Sequence, residues 1–208
     1  MSSLTDLILI GGGGHCHACI DVLEQEGRFQ IAGIVERNGG PREAVLGYPV
    51  LGADEDLAQL KEKYEFVLVT VGQIKSAIPR KLLYEKLITL GFQLPVILSP
   101  RSYVSPHARV GSGTIVMHDV LVNAGAHVGE NCILNSKSLI EHDAVIGDHC
   151  HISTGSILNG EAQIGHESFV GSGAVVREGV RIGARSLIAG GARVMGDLAE
   201  NSNYKNSL

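Results

Sequence analysis

The stretch richest in usable chemistry is Glu141-His142-Asp143, a histidine with a carboxylate on either side. A carboxylate beside an imidazole holds it in one tautomer and stabilises its protonated form, which is what a general base working near neutral pH requires. His118 and His166 recur at the same phase of the surrounding pattern, 24 residues to either side, but only His142 has acids on both sides. A second reactive neighbourhood lies near the N-terminus, where Gly11-Gly12-Gly13-Gly14 is followed by His15, Cys16, His17 and Cys19. Those four side chains are able to hold a metal, yet no second cluster with ligand spacing follows them, so no metal is expected. The glycines would let the backbone approach an anion at the start of a helix. Counted from Gly11 or Gly12, the G-x-G-x-x-G dinucleotide pattern fails at Cys16 or His17, so NAD binding is not implied.

The element that must position His142 is a repeat. From Val104 to Val194 every sixth residue is Val, Leu or Ile without a miss, and two residues before each stands a small or short branched side chain such as Ala108, Cys132, Ser156 or Ala174. Gly111, Gly129, Gly147, Gly165 and Gly183 add a signal every 18 residues. A period of six suits neither a helix nor an alternating strand, and fixed self-similarity marks a solenoid. Six residues make a face and three faces a triangular coil, so about five coils at a strand spacing of roughly 4.8 Å build a prism about 24 Å tall. Residues 24 apart fall on different faces, so the three same-phase histidines do not converge. Cys132 and Cys150 lie one coil apart in the small-residue phase, where they read as packing.

Before the repeat, the pattern is that of a small α/β unit: a strand Leu7 to Ile10, a helix from Ala18 to Glu26 stopped by Gly27, a strand Ile31 to Val35, a strand Phe66 to Thr70, and a helix from about Pro79 to Leu90 stopped by Gly91. The strand ends carry glycines, Glu36 and Gly72, which places a shallow site beyond the carboxyl edge of a parallel sheet. There Glu36 is either a ribose or base acceptor or a solvated loop charge. The segment Leu94 to Ser105 reads as the connector, giving domains over 1–98 and 99–208. A hydrophobic share of 44% supports a packed core, and 4% aromatics without Trp suit a narrow aliphatic interior. A net charge of −5 argues against a nucleic-acid or anionic-membrane surface. The short Leu7 to Ile10 run is no signal peptide, and no 18-residue apolar stretch occurs. A cytoplasmic location is expected.

Taken in order, the glycine run with His15, the strand ending at Glu36, the Val71-Gly72-Gln73 turn and Glu141-His142-Asp143 resemble the bacterial nucleotide-sugar and sialic-acid acetyltransferase family, over about residues 5 to 202. That family includes the enzymes that N-acetylate UDP-4-amino sugars of the bacillosamine pathway. The resemblance implies an N-terminal α/β domain followed by a left-handed parallel β-helix of hexapeptide repeats, a homotrimer, and acetyl-CoA held between neighbouring β-helices. It implies His142 as catalytic base with Asp143 raising its basicity. It also implies substrate contacts at Gly13, Gly14, His15, Glu36 and Gly72, and coenzyme contacts at His151, Ser172 and Gly190. The expected reaction moves an acetyl group from acetyl-CoA to the amino group of a nucleotide-linked 4-amino-4,6-dideoxy sugar. O-acetylation of a sialic-type sugar, zinc-dependent hydration and non-catalytic nucleotide-sugar binding are the alternatives; the His-x4-His spacing of the zinc enzymes is absent. Three departures stand out: Val35-Glu36 where some relatives have two acids, Asp143 where bacillosamine-type enzymes have Glu, and Asn203-Tyr204-Lys205-Asn206-Ser207-Leu208 where the family usually ends in Gly-x-Pro-Ala-Lys.

Overall fold

The structure, a computed structural model, describes residues 4–37 and 43–205. The N-terminal part begins with β1 (Thr5–Ile10), whose last four residues are fully buried. It turns at the glycines into α1 (Gly14–Glu26) and leaves that helix through Gly27, whose left-handed backbone caps it by donating to the Leu23 carbonyl at 3.1 Å. Then come β2 (Phe29–Val35), a hairpin of β3 (Ala44–Val45) and β4 (Tyr48–Gly52), the short α2 (Leu57–Lys61), β5 (Phe66–Val69) and α3 (Ile78–Thr89). The sheet order is β3-β4-β2-β1-β5, parallel except for the β3–β4 pair. The hairpin and α2 were not anticipated, because β3 has two residues and β4 contains Pro49, which leave no run for a pattern to register. The carboxyl ends of β1, β2 and β5 deliver Gly11, Glu36 and Thr70 to one edge, as the strand ends led one to expect.

From Ile97 onward the chain is a prism of two-residue parallel strands on three faces. Face I runs from Ile97–Leu98 to Asn203–Tyr204 in seven strands, face II from Tyr103–Val104 to Arg193–Val194 in six, and face III from Arg109–Val110 to Arg181–Ile182 in five. Two strands therefore lie inside the segment read as a connector. The solenoid also gains a coil at its end, where Asn203–Tyr204 pairs with Leu187–Ile188 after the period has shortened by two residues. The aliphatic every sixth residue points inward: Val116, Val122, Ile140, Ile152, Leu158 and Val176 are all fully buried. Burying each such side chain stabilises the fold by about 1.5–3 kcal/mol, repeated up the stack. The small residues two before also face the interior, with Cys132 and Cys150 among them as free, fully enclosed thiols.

The corner itself is made by the residue three after the aliphatic, which takes a left-handed backbone at most corners: glycine at 113, 125, 155, 173, 179 and 191, but a residue with a side chain at others, among them Asp119, Asn131, Asp143, His149, Glu161 and Glu167. The residue two after the aliphatic is thereby pushed to the outermost point of the corner. That is the position of His118, His142 and His166.

Face I is covered by the chain's own N-terminal unit. From α3, Lys81 pairs with Glu167 at 2.9 Å, and the Tyr84 hydroxyl donates to Glu130 at 2.9 Å. From α1, Asp21 bonds His118 at 2.7 Å. No helix among the described residues is long and apolar enough to cross a membrane.

Candidate active site

His142 stands at a corner between faces II and III with its side chain 58% exposed. Its Nδ1–H donates to Asp143 Oδ2 at 3.0 Å, so the Nε2 lone pair is left as the basic site. The Asp143 hydrogen bond, with the nearby charges of Glu141 and Glu161 adding to it, raises the His142 pKa above the ordinary histidine value. Glu141 is itself held by Asn123 Nδ2 at 2.9 Å. Two glycines one coil away make room for the pair. A Cβ on Gly160 would lie 2.6 Å from His142 Nε2, and one on Gly125 would collide with the Asp143 carboxylate. Neither glycine was singled out from the sequence, yet a signal was there: Gly160 is 18 residues after His142 and Gly125 is 18 before Asp143.

The same-phase histidines are engaged differently. Each is followed by an acid, but Asp119 is taken by Arg101 at 2.9 Å and Glu167 by Lys81. His118 is lodged between Asp21 and the Ser99 hydroxyl, 2.6 Å from its Nδ1, and His166 contacts Arg185. Only at His142 does the following acid turn back onto the ring.

The residues expected to hold substrate come together elsewhere. Gly11, Gly13, Gly14, His15, Thr70, Val71, Gly72 and Gln73 from the sheet edge meet Asn135 and His151 of face I around a cavity of about 570 Å³. A side chain at Gly13 or Gly14 would meet nothing within 4 Å, so the start of α1 opens directly onto it. His15 and His151 have ring centroids 6.4 Å apart. Burial holds both well below the usual histidine range, at about 4, with Arg80 adding to the effect in each, so both are neutral at pH 7. His151 Nδ1 lies 2.6 Å from the Gln73 carbonyl, which only accepts, so the proton is on Nδ1; Nε2 therefore accepts from Asn135 Nδ2 at 3.2 Å. A second cavity, of about 480 Å³, adjoins through Gly11 and Val71 and is lined by Arg37, Asp54, Ile78, Leu82 and Lys86. The Glu36 carboxylate is folded against Gly12, at the root of the glycine turn rather than on the cavity wall, and a Cβ at Gly12 would overlap it.

Ser172 and Gly190 lie one coil apart on the corner between faces I and II. Ser172 Oγ is 2.9 Å from Ser153 Oγ, and Ser153 sits two residues beyond His151, which itself lies on the covered strand of face I and lines the glycine cavity. His142 is on a different corner. Within one chain, the base and the glycine-lined cavity are not brought together.

Comparison with known proteins follows the same two-part division. The family description "PglD N-terminal domain" matches residues 6–87, and "Bacterial transferase hexapeptide (six repeats)" matches residues 125–160 and 161–196. Comparison with curated protein sequences finds no match. Among solved structures, PerB from Caulobacter crescentus in complex with CoA and GDP-perosamine is 34% identical with a TM-score of 0.88, covering 95% of this chain and 92% of that one. The acetyltransferase domain of PglB from Neisseria gonorrhoeae, in complex with acetyl coenzyme A, is 30% identical with a TM-score of 0.87, covering 96% and 95%. WeeI from Acinetobacter baumannii, at 17% identity and a TM-score of 0.68 over 93% and 95%, shares the fold. Likeness over nearly the whole length, at these identities and in both domains, makes this chain a member of the acetyl-CoA-dependent sugar N-acetyltransferases of the hexapeptide-repeat superfamily.

Proposed function

We propose that the protein transfers the acetyl group of acetyl-CoA to the amino group of a nucleotide-linked 4-amino-4,6-dideoxy sugar, with His142 as general base. The observation that carries this is the Asp143-pinned imidazole whose free Nε2 faces outward over Gly160. As the sugar amine attacks the thioester carbonyl, the C–N bond forms and Nε2 takes the amine proton. Collapse breaks the C–S bond, and the proton passes to the departing thiolate. Backbone N–H groups of the coil stabilise the oxyanion in between. The thioester is already activated, so no acyl-enzyme is required. Gly13, Gly14, His15 and Gly72 hold the nucleotide-sugar, Glu36 braces the glycine turn, and His151, Ser172 and Gly190 take the coenzyme. PerB was solved with CoA and GDP-perosamine and the PglB domain with acetyl coenzyme A, which supports the assignment. Acetyl-CoA and sugar nucleotides are metabolites of the cytoplasm, and the reaction is placed there.

The working unit is a homotrimer. Face I is covered by the N-terminal unit, and the outward row of face III, Arg109, His127, Val145, Gln163 and Arg181, is polar except for Val145. Face II turns Tyr103, Leu121, Leu139, Ile157 and Val175 outward, with Tyr103 56% exposed. A second copy on that face hides this row, and cyclic association closes the set. The His142 corner and the Ser172–Gly190 corner both border face II, so association brings the base of one protomer toward the coenzyme edge of the next.

The test is release of free thiol from acetyl-CoA with a panel of UDP-, GDP- and dTDP-amino sugars. Turnover on at least one is expected. Turnover on free sialic acid with none on the amino sugars would replace N- by O-acetylation.

A further inference from the structure

Among the described residues Arg80 is the largest fully buried side chain, 1% exposed, and no carboxylate among them pairs with it. Its guanidinium donates to the Asn131 carbonyl, to Asn131 Oδ1 at 3.0 Å, to Gln73 Oε1 at 2.6 Å and to the Cys150 carbonyl at 3.3 Å, while Nε has no acceptor. A buried cation without an ionic partner is costly and calls for a reason. If α3 only needed fixing to the solenoid, Lys81–Glu167 from the next residue and Tyr84–Glu130 from the next turn already do so.

The bonds of Arg80 lead to the cavity. Gln73, clamped by Arg80 through Oε1, also donates from Nε2 to the Glu167 and Ser168 carbonyls at 3.4 and 3.3 Å. With its side chain held at three points, its backbone carbonyl is fixed where His151 Nδ1–H finds it. We propose that Arg80 is a positioning residue of the transfer site: by clamping Gln73 it locks His151 as the Nδ1–H tautomer, with Nε2 and Asn135 together forming the cavity wall. The proposal rests on the acetyltransferase reading of that cavity. The guanidinium charge acts in the same sense, since it opposes protonation of His151 and of His15 across the cavity. The groups about His151 are His15 from α1, the nearby charge of Arg80 from α3, and Asn135 and Phe169 from the adjoining coils; Glu167, whose carbonyl accepts from Gln73, has its carboxylate paired with Lys81.

The test uses the full chain with nitrogen-15-labelled histidine, His151 being assigned by its loss in His151→Gln. Wild type should show a neutral Nδ1–H ring for His151 that titrates only near pH 4. Arg80→Met should let the Nε2–H tautomer appear and move the titration toward the ordinary histidine value. It should raise the KM for acetyl-CoA by up to about tenfold, the worth of one neutral hydrogen bond, with kcat held, and Arg80→Lys should recover part of this. If Arg80→Met does not fold, Gln73→Met cuts the same relay at its middle and is read in the same way. A wild-type tautomer, titration and KM in a folded variant of either kind, with only the melting temperature lowered, would reduce Arg80 to a rivet between domains. If the wild-type protein transfers no acetyl group, the functional reading falls, and the tautomer and titration alone still decide the role of Arg80.

Discussion

At the scale of single residues, catalysis comes down to where one carboxylate points. Asp119, Asp143 and Glu167 occupy equivalent corner positions, and only Asp143 is left to bond its neighbouring histidine. His142→Ala should lower kcat by at least about 10²-fold with both KM values little changed and the melting temperature unaltered, because the side chain is exposed and makes no core contact. Since Asp143 raises the pKa of His142, Asp143→Asn should shift the acidic limb of the rate profile to lower pH, together with a smaller loss of rate. His166→Ala is the appropriate control and should keep wild-type turnover; His118 is a poorer one because it joins the two domains through Asp21. Glu36→Ala should weaken nucleotide-sugar binding indirectly, by loosening the glycine turn that its carboxylate packs against at Gly12, and leave acetyl-CoA affinity as it was, measured by calorimetry with each ligand.

At the scale of the coil, glycines of one residue type have two distinct duties, which substitution separates. A Cβ at Gly160 meets only the tip of the exposed His142 ring, whereas one at Gly147 would lie 2.7 Å from the His166 backbone nitrogen of the next coil. Neither glycine has a positive φ, so alanine strains neither backbone. Gly160→Ala should therefore displace the base and depress turnover while the protein melts as wild type. Gly147→Ala must push two coils apart, and should cost about 1–3 kcal/mol of stability, the range for overpacking, by chemical denaturation.

For the whole molecule, light scattering at micromolar concentration should give three times the chain mass. Leu121→Glu, next to Tyr103 in the uncovered apolar row, should shift it toward monomer and abolish turnover even though His142 and the cavity are untouched. Stability should also depend on acidity in a defined window. In the unfolded chain His15 and His151 titrate near 6.5, and in the folded protein near 4. Between those values the unfolded state binds more protons, so stability present above pH 6.5 is lost progressively as the pH falls to about 4, with no further loss from these two groups below that. Melting temperatures across this range should fall for wild type and less steeply for His151→Gln.

The solenoid was legible in the sequence because its rule is local and repeated: an aliphatic that must be buried at every sixth position leaves no other stable arrangement for the stretch from Val104 to Val194. The parallel strands that end at Ile10, Val35 and Val69 were legible for the same reason, as short buried runs closed by turn residues. The β3–β4 hairpin was not, since two-residue pairing rests on backbone contacts with β2 rather than on any pattern of its own. Residue types marked His142 as the candidate base, but the sequence places an acid after His118 and His166 as well. Arg101 and Lys81, brought up by contacts 18 and 86 residues distant, remove those acids from contention. Tertiary packing likewise sealed Arg80 in the interior and set the proton on His151, because the geometry and desolvation that fix a charge or a tautomer come from groups far apart in the chain, meeting only once α3 lies against the solenoid.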